Sequence, residues 1–117
     1  MAAEKFLWDA KTAADRIARF TVGRSLDDYL ADDMLRAAVE RQFEIIDDAL
    51  SAVRRVEPAL ADRIPELARI IAFRNILVHG YATVDDRLVW GIVEGDLSAL
   101  GEVLELLLAQ SSERQGQ

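Results

Sequence analysis

An apolar stripe that keeps helical spacing for about six turns constrains this chain more than any other feature. Between Asp33 and Val56, the residues Met34, Leu35, Ala38, Val39, Phe43, Ile45, Ile46, Ala49, Leu50, Val53 and Val56 recur at steps of three and four. Arg36, Glu40, Glu44, Asp47 and Arg54 fall on the opposite face. A strand period of two cannot generate this pattern, whereas one long amphipathic α-helix does. Such a helix is stable in water only if other apolar faces cover it, so the rest of the chain must supply them.

It does so with more helices. Phe6, Ala10, Ala13, Ala14, Ile17 and Phe20 form a stripe that predicts a helix over 4–21, ended by Gly23. Ser25 followed by Asp28 marks a new helix start, and Leu26, Tyr29 and Leu30 make that helix short. Beyond the long element, Pro58 and Pro65 bracket a connection, and Pro65 suits the first position of a helix over 65–79. That segment is apolar at Leu67, Ile70, Ile71, Phe73, Ile76, Leu77 and Val78, too continuous for a wide solvated face. Asp85 can cap a last helical region through Leu88, Val89, Ile92 and Val93, and Asp96 can cap its continuation from Leu97 to Leu108. There is no internal repeat and no alternating strand pattern. The expected fold is all-α, an antiparallel bundle of four to five helices. It forms one domain over 1–110, and 111–117 form a flexible tail without an apolar face.

Composition narrows the function. At 117 residues the chain holds one core, and 51% apolar with 30% charged residues is the balance of a soluble globular protein. The absence of cysteine removes disulfides and thiolate metal sites. Charge enters at Glu4 and Lys5, which interrupts any secretory apolar region, and no stretch is apolar enough to span a membrane. A cytoplasmic location is therefore expected. A net charge of −7 argues against general affinity for DNA or other nucleic acids, because phosphate contacts need a positive surface. The charge is uneven: residues 25–52 sum to −6, but 54–87 sum to +1, so a local basic site is permitted there.

Two groups of residues could carry chemistry. Glu40, Glu44 and Asp48 have the i, i+4, i+8 spacing of carboxylates on one helix face, but no Glu-x-x-His pair accompanies them, and they are taken as a solvated face. No metal or cofactor is expected. The second group is FRNILVHGY at 73–81, which contains the only histidine, His79. Part of it is explained as a helix end: His79 favours the negative pole of the dipole, Gly80 takes the left-handed position, and Tyr81 packs back. Arg74 and Asn75 in an apolar segment are not explained this way, since unpartnered charge there is costly. Asn75 and His79 lie about 40° apart on a helix, so the amide can orient the imidazole, whereas Arg74 lies about 140° away.

The run Arg74-Asn75-x-x-x-His79-Gly80-Tyr81, followed by VDDRLVW, closely resembles the HepT-like (DUF86) branch of the HEPN superfamily, whose signature is Arg, four to six residues, then His. RQFEIIDDA at 41–49 also resembles the family's R-N-x-E-I-I-G-E-A pattern, with Gln42, Asp47 and Asp48 replacing Asn, Gly and Glu. The resemblance implies a HEPN-like bundle that dimerises through helices, in a homodimer or a larger assembly, with a cleft between copies. It implies a metal-independent ribonuclease toxin acting on mRNA or tRNA, with Arg74 and His79 catalytic. It also implies a cognate MntA-type nucleotidyltransferase antitoxin that transfers AMP to Tyr81. Asn75 would orient His79. Arg41 either contacts phosphate or forms a surface ion pair with Glu44 or Asp48. Trp8 and Trp90 are read as core or interface residues rather than base-stacking platforms. The rival reading is a non-catalytic helical subunit that presents substrate to, or scaffolds, a nucleotidyltransferase.

Overall fold

The computed structural model describes residues 2–64 and 85–115. Among these residues every regular element is a helix: α1 (Glu4–Thr21), α2 (Leu26–Ala31), α3 (Asp33–Val56), α4 (Pro58–Ala61), α5 (Asp86–Gly95) and α6 (Leu97–Gln115). The chain is all-α, and the expected limits of α1 and α3 are met. The helix expected over 65–79 lies outside the described residues. Within the Pro58–Pro65 connection, Pro58 starts the one-turn helix α4, where its missing N–H costs nothing.

Short polar side chains set the helix starts. Ser25 Oγ accepts from Asp28 N–H at 3.1 Å and Asp28 Oδ2 accepts from Ser25 N–H at 2.9 Å, a reciprocal cap on α2. These bonds hold the Asp28 carboxyl below its ordinary pKa, the backbone N–H of Ser25 contributing most. Asp32 accepts from Leu35 N–H at 3.0 Å to open α3, and Asp85 accepts from Arg87 and Leu88 N–H, both at 3.2 Å, to open α5. Gly23, at φ +73°, makes the left-handed turn between α1 and α2 that a side chain would strain.

α1 packs on α3 along one side and on α6 along the other. Its start lies beside Leu108 near the end of α6, and its second half lies beside Leu97 and Gly101, so the two run antiparallel. Two flanking partners bury a wider arc than one stripe. Leu7, Ala10, Ala13, Ala14, Ile17 and Thr21 are buried, while Phe6 and Phe20 sit at the margin of the core. The buried Thr21 hydroxyl is satisfied by donating to Ile17 C=O at 2.8 Å. α3 buries Leu35, Val39, Phe43, Ile46, Ala49, Leu50, Ala52 and Val53, as its spacing predicts.

Three readings change. Met34, assigned to the apolar stripe, is 83% exposed, because it lies in the first turn of α3 before the core begins. Trp8, read as core or interface, is 62% exposed on the outer side of α1, which removes the core half of that reading. Asp47, placed on the polar face by residue type, is 1% exposed. Its position three before Leu50 and four after Phe43 puts it on the packed side of α3.

Candidate functional site

Arg74, Asn75, His79 and Tyr81 lie outside the described residues. The described structure contains the segments that flank them and the α3 stretch shared with the family pattern. Arg41 is exposed on α3 and pairs with Glu44 at 3.2 Å, which is the surface ion pair that its spacing allowed. An exposed pair of this kind contributes at most about 1 kcal/mol and leaves the guanidinium free to exchange partners. The three departures from the family pattern fall in different environments. Asp48 is exposed, Gln42 is half-buried, and Asp47 is buried. Asp47 is not left without a partner, as a carboxylate removed from water requires. Gln42 Oε1 is shielded and has no hydrogen bond among the described residues.

A second cluster joins α2, α3 and α5, the last of which begins five positions after Tyr81 in the chain. Arg36 on α3 donates to Tyr29 C=O at 3.2 Å and to Leu30 C=O, closing the exposed end of α2. The same guanidinium binds the Asp33 carboxylate and lies 3.7 Å from Asp86 Oδ2, in the first turn of α5. Trp90 of α5 is buried against Tyr29, with ring centroids 5.2 Å apart and planes tilted by 32°. Its indole N–H donates to Glu94 one turn on. In VDDRLVW, Asp85 thus caps α5, Asp86 meets Arg36, and Trp90 stacks on Tyr29. Trp90 is core, as read, and the motif's role here is to fix the chain that follows the Arg-x4-His segment.

The pattern of charges had placed Arg36 on a solvated face, and the sequence carried no signal that it bridges three helices. Arg36→Ala is expected to lower stability by about 1.5–3 kcal/mol in urea unfolding, the scale of charge-assisted hydrogen bonds to carbonyl and carboxylate. Arg36→Lys is expected to recover less than half of it, because an ammonium cannot reproduce the planar fork.

Glu40 also leaves the solvated face assigned to it. It is half-buried, and its carboxyl is raised above the ordinary 4.5, first by desolvation and then by the nearby Asp86, against the pull of Arg36. A carboxyl raised in the folded state favours folding while protonated. That advantage is complete below the ordinary value and is lost as pH rises through the folded one. Glu40→Gln is therefore expected to raise the melting temperature at about pH 7, with the gain vanishing near about pH 4. A gain of equal size at both pH values would assign the effect to packing instead.

Among the described residues, no group of three or more His, Asp or Glu could hold a metal ion. No helix among them is long and apolar enough to cross a membrane.

Comparison with known proteins bears directly on the undescribed segment. The family described as "HepT-like: Ribonuclease HepT-like" matches residues 10–107, a span that includes Arg74 to Tyr81. "Probable ribonuclease HepT" of Thermococcus cleftensis is 34% identical over 106 residues, covering 87% of this chain and 92% of that protein. MJ1380 of Methanocaldococcus jannaschii, provisionally named an RNase, is 29% identical over 104 residues, covering 87% and 93%. No solved structure matches the chain. With a matching span that runs from within α1 to within α6 and takes in the whole Arg-x4-His run, the chain belongs to the ribonuclease HepT-like family.

Proposed function

We propose that this protein is a metal-independent endoribonuclease toxin that works as a homodimer, with Arg74 and His79 as catalytic residues. The observation that carries this reading is the intact Arg74-x4-His79-x-Tyr81 run inside a chain that matches the HepT-like family over residues 10–107. The names of the relatives from Thermococcus cleftensis and Methanocaldococcus jannaschii, both ribonuclease names, support the same activity.

The chemistry follows from the residue types. The ribose 2′-oxygen attacks the adjacent phosphorus as its proton passes to a base. The P–O5′ bond breaks as an acid protonates the leaving oxygen, giving a 2′,3′-cyclic phosphate and a 5′-hydroxyl. Imidazole suits both proton transfers near neutral pH. A single chain has one histidine and cannot supply a base and an acid together. A dimer can: His79 of one protomer takes the proton, and His79 of the partner subunit gives one up. Arg74 holds the phosphate oxygens in a bidentate pair as charge gathers on them. Asn75 orients the imidazole.

Tyr81 is the acceptor of AMP from a cognate nucleotidyltransferase. The tyrosine oxygen attacks the α-phosphorus of ATP and pyrophosphate leaves. The resulting phosphodiester adds negative charge and bulk two residues from His79, and both oppose an RNA phosphate. The nucleotidyltransferase thereby acts as the antitoxin of a type VII-like pair.

The test is cleavage of total RNA by the purified chain in excess EDTA, before and after incubation with ATP and the nucleotidyltransferase encoded beside it. Cleavage that survives EDTA and stops once Tyr81 gains the mass of AMP is the expected result. Cleavage abolished by EDTA, or unchanged by modified Tyr81, overturns the corresponding half of the reading.

A further inference from the structure

The outer face of α1 carries positive charge on a chain whose net charge is −7. At about 100° per residue, Lys5, Trp8, Thr12, Arg16 and Arg19 fall within an arc of about 80°, on the side away from the buried Leu7, Ala10, Ala14 and Ile17. Lys5, Arg16 and Arg19 are exposed, and none is in an ion pair among the described residues. The acids of α1 lie outside this arc. Asp15 is engaged by Lys11 at 2.6 Å, and Asp9 is half-buried on the side of α3, beside Ile45 and Asp48. Trp8 stands in the same row as the cations, the only aromatic among the large apolar side chains that the described fold leaves exposed. With Ala2, Lys5 and Leu108 it borders a hollow of about 440 Å³ where the start of α1 meets α6, and Glu4, the acid in that lining, is not free.

Two features of this face select its occupant. Cations spread over about 21 Å of helix suit a row of phosphates, and an indole held in water suits a flat apolar group that can cover it. A single nucleic-acid strand supplies both, because its bases are free to stack while its backbone runs past the cations. A duplex keeps its bases in the stack and would leave Trp8 uncovered. A membrane surface asks for a continuous apolar face, and Trp8 is the one large apolar residue of the row. A second copy related by a two-fold axis would set the cations of this face against themselves. Residues 25–52 sum to −6, so much of the remaining surface repels a phosphate chain, and the row on α1 offers it a path.

We propose that the outer face of α1 is a track for single-stranded RNA, on which Trp8 stacks with an unpaired base and Lys5, Arg16 and Arg19 hold its phosphates; the choice of RNA as the strand rests on the ribonuclease reading. None of these residues belongs to the Arg74–Tyr81 segment, so binding to the track and cleavage are separable.

The test is titration of the full chain with a short single strand of 2′-O-methylated RNA, which has no free 2′-hydroxyl to attack and so reports binding without cleavage. Binding is expected to quench tryptophan emission in the wild type and not in Trp8→Ala, whose remaining indole, Trp90, is buried. By the anisotropy of a labelled strand, Trp8→Ala is expected to weaken binding by about tenfold, and Trp8→Phe to recover most of the loss. Arg16→Gln with Arg19→Gln is expected to weaken it by about tenfold and to lower the slope of log affinity against log salt by about 1.4, or about 0.7 for each phosphate contact removed. Arg54→Gln with Arg55→Gln, an equal charge change at exposed cations of α3, is expected to weaken it less than about twofold. All these positions are exposed, so the melting temperatures should hold. Binding that depends on Trp8 and the α1 arginines without any cleavage of unmodified RNA supports the track and counts against the ribonuclease reading alone. No binding of the strand, no effect of Trp8→Ala, or equal weakening by the two arginine pairs overturns the track. So does quenching of Trp8 by phosphatidylserine vesicles and not by the strand, or a dimer in sedimentation that Trp8→Ala dissolves.

Discussion

His79→Ala is expected to lower RNA cleavage by about 10²–10⁴-fold, the range for removing a general acid or base, in a chain that stays folded by circular dichroism. The effect should reach the upper part of that range, because in the proposed dimer one substitution removes both the base and the acid. Two further measurements separate catalysis from structure. The wild-type rate should rise and fall with pH as a bell, since one imidazole must be neutral while the other is protonated. Mixing wild-type protomers with His79→Ala protomers should lower activity more steeply than the wild-type fraction falls if imidazoles from two chains serve one cleft, and in proportion to that fraction if each chain works alone. Expression of the wild-type chain should arrest growth and the His79→Ala chain should not. If the two chains are equally toxic and cleave equally fast, the assignment of His79 as catalytic fails; if neither chain cleaves RNA, the scaffold reading takes its place.

The candidate site was legible in the sequence because it is local: Arg74, Asn75, His79 and Tyr81 lie within eight positions, so spacing alone brings them to the same stretch of chain. What anchors the chain just beyond that stretch, at the start of α5, was not legible. Arg36 and Asp86 are fifty positions apart, and nothing in a helical pattern says that a charged residue at one end of α3 meets the first turn of α5. Helix limits were legible where a polar cap punctuates an apolar stripe, as at Ser25 and Asp85. Which residues of a stripe are buried was less so. Phe6 and Leu7 both fit three- and four-residue steps, and the choice between them is made by α6, which covers the side of α1 that α3 leaves open. Asp47 shows the limit of assigning a helix face by residue type. Its place on α3 is apolar by geometry and its side chain is charged, so only the folded structure could put it in the core.

The second large effect is at Tyr29, where two substitutions should move in different directions. Tyr29 is fully buried between Trp90 of α5 and the start of α3, and it is among the largest side chains of the core. Tyr29→Ala is expected to cost about 3–5 kcal/mol, the loss seen when a buried aromatic leaves a cavity that rigid helices cannot fill. For a domain whose total stability is on the order of 5–15 kcal/mol, that is enough to populate the unfolded chain at growth temperature. Tyr29→Phe tests something else. The phenol oxygen is shielded from water and has no hydrogen-bond partner among the described residues, so its desolvation is uncompensated. Burial first, and then the carboxylates of Glu40 and Asp86, push its pKa well above that of an ordinary phenol and hold it neutral. Removing that oxygen keeps the ring against Trp90 and is expected to leave stability unchanged or raise it by up to about 1 kcal/mol in urea unfolding. A loss of more than about 1 kcal/mol in Tyr29→Phe would mean that the hydroxyl makes a hydrogen bond in solution. Because α5 begins five residues after Tyr81, Tyr29→Ala should also lower RNA cleavage, and Tyr29→Phe should leave it intact. Equal cleavage by both variants would show that anchoring α5 to α2 is not needed to hold the Arg-x4-His segment in its working arrangement.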